Sequence, residues 1–333
     1  AFPIADGGDG FIDFFRTLDP QASCISLTAN NAFCQKKRTS FLLLSDGKTA
    51  VVETARVCGL GTAKKEELDV LHATSYGVGE VILKAVSRGA KTIYVGLGGV
   101  ACNDGGAGMA VACGARILDK SGREIALGAQ PLLRAHRAEL HLLKKNLKGA
   151  KIYGVADVTN PLLGPKSSAK VFGPQKGGTA EQVKMLDKAL AVWVRVMAKA
   201  TGKNAAHTPS TAAAGAIAAG LYGCLNARLI LGADFLFKKA GLEKQAKWAD
   251  LLVTSEGKLD EQTFYGKAPL AVLKLAKKYK KPTLFICGQV DEKALRRQPY
   301  RPHQIAVLAD FAASPADAQR NAAKYLRRLA KSL

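Results

Sequence analysis

Six glycines, Asn103 and Asp104 lie within one short segment, GLGGVACNDGGAGM (96–109), directly after the apolar run TIYV. Glycine adopts positive φ angles readily and lets main-chain N–H groups approach an anion closely. The N-terminus of a following helix adds its own N–H groups and dipole. We therefore predict that this loop binds phosphate oxygens, through the main chain of Gly98, Gly99, Gly105 and Gly106.

Three further polar loops follow apolar runs: ADGGDG (5–10), DVTNPLLG (157–164) and SEGKLDEQ (255–262). In parallel α/β sheets, ligands bind at the carboxyl ends of the strands. A single Gly-Asp turn is more often only a turn, but four such loops at strand ends predict one shared site. Its further candidate substrate- and phosphate-binding residues are Asp6, Gly7, Gly8, Asn103, Asn160, Glu256, Asp260 and Gln262.

Carboxylates and lysines in these loops are suited to phosphoryl transfer. Asp157 and Asp104 are candidates to hold Mg²⁺, which usually takes one or two carboxylates together with phosphate oxygens. Either could instead take the proton of an acceptor hydroxyl. Lys176 (in GPQKG) and Lys267 (in YGKAP) lie on glycine-flanked turns, where a fixed cation can neutralise a carboxylate or a transferring phosphoryl group. These four are the predicted catalytic residues.

Other catalytic patterns are absent from the sequence. The Gly-Lys-Thr at 47–49 lacks the first glycine of a Walker A loop, since Leu42 occupies that position. Neither G-x-G-x-x-G in the 96–109 loop nor a G-x-S-x-G nucleophile elbow is present. The seven cysteines include no C-x-x-C pair, so the sequence predicts neither a disulfide framework nor a zinc site.

Strand and helix patterns alternate along the chain and would place these loops. The periodicity predicts helices at 75–90 and 179–201, and in the second Thr179 and Gln182 match a capping box. The run GAGMAVACGA predicts a further helix after the loop, and APLAVLKLAKKYKK another. Apolar runs predict strands at 49–53, 91–99 (running into a glycine turn), 151–158, 249–257, 282–288 and 304–310. This order is typical of an α/β fold with a parallel sheet.

Size and charge set further limits. A chain of 333 residues is long enough for two domains. The formal charge of +22 fits nucleic-acid binding, steering of anionic substrates, or solvated basic helix faces. The basic residues form short helical clusters without a basic tail, which favours the last reading and no nucleic-acid partner. The sequence has no run of about 18 apolar residues, and the scattered cysteines predict a reducing, cytoplasmic location with no membrane partner.

The motifs ETARVCGL, VGLGGVACNDGGAGM, DVTNPLLGPKSSAKVFGPQKG and SEGKLDEQTFYGKAPLAV occur in the order seen in bacterial glycerate kinases. The sequence resembles that family, the class I type without a Walker motif, over essentially its whole length. The resemblance implies an ATP-dependent kinase that phosphorylates D-glycerate to 2- or 3-phosphoglycerate with Mg²⁺. Glu256 and Asp260 would orient metal-bound water or ribose. The protein would act as a monomer or a homodimer.

The resemblance also implies an architecture. A flavodoxin-like α/β domain would be built from both chain ends (1–20 and 245–333), with a second α/β domain (21–244) inserted into it. Family members begin with roughly forty further residues, including a first strand, which this sequence lacks. Val100 and Cys102 stand where the family usually has Ser and Thr. The alternative is therefore a catalytically impaired, truncated homologue that binds a nucleotide or a partner.

Overall fold

The computed structural model describes residues 7–331, apart from 62, 265–267 and 297. The chain divides between residues 232 and 233 into two compact units, called unit 1 and unit 2 in chain order. Each is an α/β structure with parallel strands, so the predicted fold class is confirmed. Among the described residues, every helix is too short or too polar to cross a membrane.

Unit 1 contains a six-stranded sheet in the order β1-β2-β3-β4-β7-β8. Strands β3, β4, β7 and β8 are parallel, whereas β1 and β2 add an antiparallel hairpin that the sequence did not predict. Strands β5 and β6 form a separate antiparallel pair. The elements are α1 (Phe11–Leu18), β1 (Ser23–Asn30), β2 (Lys36–Leu43), β3 (Thr49–Glu53), α2 (Thr54–Cys58), α3 (Tyr76–Ser87), β4 (Thr92–Leu97), α4 (Ala107–Ala112), β5 (Arg116–Leu118), β6 (Arg137–Glu139), α5 (His141–Asn146), β7 (Lys151–Ala156), α6 (Ser168–Phe172), α7 (Ala180–Thr201), α8 (Ile217–Gly223) and β8 (Arg228–Leu231).

Unit 2 contains a three-stranded parallel sheet in the order β11-β10-β9, flanked by helices. Its strands confirm the three C-terminal strands predicted from apolar runs. The remaining elements are α9 (Gly232–Lys239), α10 (Leu242–Trp248), β9 (Leu252–Leu259), α11 (Ala268–Tyr279), β10 (Thr283–Val290), α12 (Glu292–Arg296), β11 (Gln304–Val307), α13 (Pro315–Arg320) and α14 (Ala322–Ala330).

Helix α7 anchors the core of unit 1. Its capping box is formed in both directions: Gln182 N donates to Thr179 Oγ1 (3.3 Å) and Thr179 N donates to Gln182 Oε1 (2.9 Å). The apolar face of the helix buries Trp193 and Met197 completely. The indole Nε1–H of Trp193 donates to the carbonyl of Gly105 at 3.0 Å, so this helix also fixes the loop after β4.

Helix α1 packs within unit 1, and here the structure differs from the predicted domain boundaries, which joined residues 1–20 to the C-terminal part. Phe15 stacks on Tyr94 of β4, with 5.8 Å between ring centroids. Ile12 N donates to Glu53 Oε2 at the end of β3 (2.9 Å). Burial of the three α1 phenylalanines and this hydrogen bond hold the helix on the sheet of unit 1. A domain formed from both chain ends otherwise stays a prediction.

Candidate functional site

A pocket of about 190 Å³ lies in unit 1 at the carboxyl ends of β4 and β7. Three of the predicted catalytic or binding segments meet there: the loop after β4, the residue after β7, and the glycine-flanked turn that carries Lys176. The pocket is lined by Leu60, Leu97, Gly98, Gly99, Val100, Asp157, Val158, Phe172, Gln175, Lys176, Ala214 and Gly215. The strand-end position expected from the sequence is thus where the structure brings these residues together.

Gly98 and Gly99 are glycines because another segment passes close to them. A Cβ atom on Gly98 would lie 2.6 Å from the Cα atom of Gly8, so no side chain fits between the two loops. Gly99 has a φ of +61° and faces the carboxylate of Asp9, whose Oδ1 would lie 3.4 Å from a Cβ atom there. Residues 7–10 and the GLGG loop therefore pack against each other, as the sequence predicted for loops at one sheet edge.

The loop 7–10 also reaches β7. A Cβ atom on Gly7, which has a φ of +113°, would lie 2.4 Å from the carbonyl oxygen of Val155. Gly7 and Gly8 thus allow close approach of main chains, and any contact they make with phosphate stays a prediction. Asp6 lies outside the described residues.

Asp157 is the first residue after β7 and lines the pocket with an exposed side chain. A carboxylate in this position can accept a hydroxyl proton or hold a cation, as the sequence predicted. Asn160, three residues later, donates from Nδ2 to the carbonyl of Lys166 (3.1 Å) and so shapes the loop. It is absent from the pocket lining.

Lys176 presents a buried ammonium group to the same pocket, with only 2% of its surface exposed. Its Nζ donates to the carbonyl oxygen of Cys102 at 2.6 Å. Burial lowers the pKa of Lys176, while nearby Cys102, Cys58 and Asp104 act to raise it. A Cβ atom on Gly215 would lie 2.8 Å from Nζ, so the absence of a side chain there leaves room for the ammonium group.

Asp104 is completely buried and receives five hydrogen bonds to its side chain. Oδ2 accepts from Thr74 Oγ1 (3.1 Å), Ser75 N (2.8 Å), Ser75 Oγ (2.9 Å) and Gly108 N (3.1 Å), and Oδ1 accepts from Gly106 N (3.1 Å). A catalytic base or metal ligand must turn a lone pair toward the substrate. The contacts of Asp104 are instead those of a residue that holds the loop and the start of α4.

The sequence predicted that the main chain of Gly105 and Gly106 binds phosphate. The structure instead places both glycines in the core of unit 1. A Cβ atom on Gly105 would lie 2.6 Å from the Trp193 ring, and one on Gly106 would lie 2.9 Å from the Cα atom of Gly220 on α8. The first N–H groups of α4 are occupied by Asp104 and by the Ser75 hydroxyl. These glycines therefore serve helix packing.

Asn103 is also completely buried, and its side chain joins the loop to α6. Its Oδ1 accepts from Ser168 Oγ at 2.9 Å, and its Nδ2 donates to the carbonyl of Ser168 at 3.4 Å. Both ends of the amide are engaged within the protein. The described contacts thus give Asn103 a role in positioning the pocket wall formed by Phe172 and Lys176, rather than a direct ligand contact.

The sequence did not predict the pocket wall at residues 214–216. Ala214, Gly215 and Ala216 all have positive φ angles, at 51°, 58° and 61°. A left-handed conformation costs a residue other than glycine roughly 1–2 kcal/mol, and such strain is concentrated at functional sites. The run of small residues STAAAGAIAAG could have predicted this wall, because a tight turn that approaches the main chain of Cys102 has no room for larger side chains.

The segment SEGKLDEQ belongs to unit 2, but residues 255–259 form the C-terminal part of β9 and not the predicted loop, so Glu256 lies within the strand. The hydroxyl of Thr263 donates to Glu256 Oε1, and Asp260 N donates to Thr263 Oγ1 (3.1 Å), which braces the turn after the strand. Glu256 lines a pocket of about 520 Å³ between β9, β10 and the helices α13 and α14. The side chain of Gln262 and the whole of Lys267 lie outside the described residues.

A magnesium ion would need few protein ligands here. Among residues 7–331 with the stated gaps, no group of three His, Cys, Asp or Glu side chains could hold a metal. Mg²⁺ commonly keeps several waters and uses one or two carboxylates together with substrate phosphates. Asp157, which lines the pocket, fits that requirement, and the buried Asp104, whose side chain already accepts five hydrogen bonds, does not.

The sequence matches the family described as "Glycerate kinase family" over residues 1–333. It is 35% identical to Glycerate kinase of Bacillus subtilis (strain 168), over 99% of this chain and 86% of the relative. It is 36% identical to Glycerate 2-kinase of Escherichia coli (strain K12), over 87% of this chain and 76% of the relative. A crystal structure from Salmonella typhimurium LT2, described as a glycerate kinase 2, aligns with a TM-score of 0.78 at 33% identity, covering 92% of this chain and 79% of that one. These matches confirm the resemblance drawn from the motifs, and the chain belongs to the glycerate kinase family.

Proposed function

We propose that this protein transfers the γ-phosphoryl group of ATP to a hydroxyl of D-glycerate, with Mg²⁺, in the pocket of unit 1. The observation that carries the proposal is the meeting of Asp157, the buried Lys176 and the Gly98–Gly99 main chain around one small pocket. Together they supply a carboxylate, a fixed cation and close main-chain approach, which are the parts that phosphoryl transfer uses.

The size of the pocket favours the acceptor over the nucleotide. About 190 Å³ corresponds to roughly six water molecules at ~30 Å³ each. A three-carbon hydroxy acid is of that size, whereas sites for larger ligands occupy ~300–1,000 Å³. We therefore place D-glycerate in this pocket.

Asp157 takes the proton of the acceptor hydroxyl, because it is the carboxylate that lines the pocket. Lys176 faces the carboxylate or the transferring phosphoryl group, and its bond to the Cys102 carbonyl fixes the direction of the ammonium group. Asp9, whose carboxylate lies beside Gly99, would hold Mg²⁺ together with phosphate oxygens, and the ion when bound would neutralise phosphoryl charge. Asp104 and Asn103 position these groups through the loop and α6.

One relative carries the name Glycerate 2-kinase, which supports 2-phosphoglycerate as the product. All seven cysteines are free thiols, which supports a cytosolic location.

The test is a coupled assay of ADP release with D-glycerate, ATP and Mg²⁺, with the phosphorylated position identified by NMR. L-Glycerate and a chelator serve as controls. We expect ADP release that depends on D-glycerate and on Mg²⁺. Nucleotide binding without turnover would instead favour the alternative of an impaired homologue.

A further inference from the structure

The pocket of unit 1 is lined by a further polar residue, Gln175, which has no part in the reaction proposed for it. Among the described residues that line this pocket, those with polar side chains are Asp157, Gln175 and Lys176. The others are glycines or have apolar side chains. Gln175 thus supplies the uncharged amide of the lining, a group that both donates and accepts hydrogen bonds.

The helical geometry directs the Gln175 side chain toward the pocket. Helix α6 ends at Phe172, and the chain keeps helical angles through Gly173 (φ −64°, ψ −45°) into a 3₁₀ turn at Pro174–Lys176. Residues three and four positions apart lie on the same face of a helix. Phe172, Gln175 and Lys176 have this spacing, and all three line the pocket. One face of this segment therefore forms a wall of the pocket, and Gln175 belongs to that face.

Lys176 holds this wall in place, whereas Gln175 is left available. The Lys176 side chain is buried, and its Nζ donates to the carbonyl of Cys102 at 2.6 Å. The turn ends at Gly177, which has a φ of +83° and whose N–H donates to the Pro174 carbonyl (3.1 Å). Gln175 is exposed, and within the described part of the chain its amide has no hydrogen-bond partner. A ligand in the pocket can therefore bind this amide without breaking a contact of the protein.

The polar side chains of the pocket match the polar groups of glycerate. Glycerate carries a carboxylate and two hydroxyls. In the proposed function the reacting hydroxyl is assigned to Asp157, and an anionic group is assigned to Lys176. The hydroxyl that does not react is then left without a partner. A hydroxyl both donates and accepts hydrogen bonds, as the amide of Gln175 does.

We propose that Gln175 is a specificity-determining residue, whose amide hydrogen-bonds the hydroxyl of glycerate that is not phosphorylated. The pocket accordingly selects three-carbon acids with two hydroxyls over those with one. The inference rests on the proposed function, since it takes glycerate to be the ligand of this pocket. A site that provides a partner for a substrate hydroxyl discriminates against an analogue without it, because the polar group of the site then loses its partner.

The test compares D-glycerate with D-lactate and 3-hydroxypropanoate, each of which lacks one of the two hydroxyls. Whichever hydroxyl accepts the phosphoryl group, one of these analogues keeps it and lacks the other. ADP release gives kcat/KM for each acid with the wild-type protein and with Gln175→Leu, which is similar in size and has no amide. We expect the variant to lower kcat/KM for D-glycerate about tenfold, the loss of one hydrogen bond, and to leave that of the analogue with the reacting hydroxyl nearly unchanged.

Gln245→Leu is the matched control. It makes the same change at an exposed glutamine of α10 in unit 2, which does not line the pocket. This variant should keep the wild-type kcat/KM for all three acids. A merely structural role of Gln175 would lower kcat/KM by the same factor for D-glycerate and for the analogue, and that result would overturn the proposal. Thermal melting checks that both variants are folded, which their exposed positions should permit.

Binding measurements keep this inference distinguishable from the proposed function. Calorimetry with Mg²⁺ and a non-hydrolysable ATP analogue measures the preference for D-glycerate over each analogue without turnover. Wild-type protein that binds D-glycerate but releases no ADP would reject the proposed function, whereas a preference that narrows in Gln175→Leu would still support the role of Gln175. Equal loss of affinity for D-glycerate and both analogues in that variant would overturn the role, as would no binding of D-glycerate to the wild-type protein.

Discussion

Two aspartates of the predicted site, Asp104 and Asp157, should respond to the same substitution in opposite ways. In Asp104→Asn, one of the two oxygens that together accept five hydrogen bonds is replaced by an NH₂ group. If that group takes the Oδ1 position, two N–H donors, those of the amide and of Gly106, face each other in a buried site. A hydrogen bond to a charged group is worth ~1.5–3 kcal/mol, and a buried donor left without a partner costs ~1–3 kcal/mol more.

We therefore expect Asp104→Asn to lower the free energy of unfolding by about 3 kcal/mol. For a unit of this size each kcal/mol shifts the melting temperature by ~2–4 °C, so the expected decrease is roughly 6–12 °C. Asp157→Asn changes an exposed side chain and should therefore lower stability by less than Asp104→Asn does. Its turnover should nevertheless decrease at least about a hundredfold, because it removes the proposed base.

Urea and thermal unfolding of the full chain measure the first effect, and ADP release at a temperature where both variants are folded measures the second. The reasoning about Asp104 is wrong if its variant melts with the wild-type protein yet loses turnover, since that result would make Asp104 a catalytic residue. Near-wild-type turnover of Asp157→Asn would remove Asp157 from the role of base.

Three further predictions follow from burial and packing. Because burial lowers the pKa of Lys176, its ammonium group loses the proton at a lower pH than an ordinary lysine does, and kcat/KM should decrease on the alkaline side below ~10.4. In Lys176→Arg, the alkaline decrease in kcat/KM should move to higher pH, measured on the activity that the variant retains. A pH profile equal to that of the wild-type protein would contradict the role of the Lys176 ammonium group. Gly220→Ala should destabilise the protein by about 2–3 kcal/mol, because its Cβ atom would lie 2.8 Å from a facing glycine Cα atom. Gly202→Ala, where φ is +73° and the surrounding space is open, should cost ~1–2 kcal/mol through backbone strain alone, and a urea midpoint of Gly220→Ala at or above that of Gly202→Ala would refute the packing argument. In the native protein, Cys24 and Cys34 are the exposed thiols, so a thiol reagent should modify only these two of the seven cysteines while the protein is folded, and modification of more than two would contradict the described burial.

Local signals were sufficient for several elements of the fold. Helix α7 was predicted at 179–201 and is observed at Ala180–Thr201, because the cap of Thr179 and Gln182 and the apolar face are both properties of neighbouring residues. The strand TAVVE was predicted with its observed bounds, Thr49–Glu53. The hairpin of β1 and β2 was missed, since its strands are largely exposed and lack a continuous apolar run.

The site was predicted in part. The sequence indicated four strand-end loops, and the structure brings Gly98, Gly99, Asp157 and Lys176 to one pocket. It could not separate these residues from Asp104, because an Asp in a glycine-rich loop has the same local pattern whether it faces a ligand or the core. What distinguishes it are the hydroxyl and main-chain donors of Thr74 and Ser75, about thirty residues earlier in the chain, and that proximity exists only in the folded protein.

The contact between the loop after β4 and Lys176 is made by a main-chain carbonyl, that of Cys102. Every amino acid carries this oxygen, so the side chain at 102 can change by mutation without altering what the ammonium group meets. Cys102 turns its own Sγ toward Cys58 at 4.0 Å, and Val100 is buried. The contact therefore depends on the path of this loop, and on the glycines that permit the path. Two proteins can differ at both positions and still offer the same oxygen to the same lysine, so side-chain differences at these positions are poor evidence for a loss of activity.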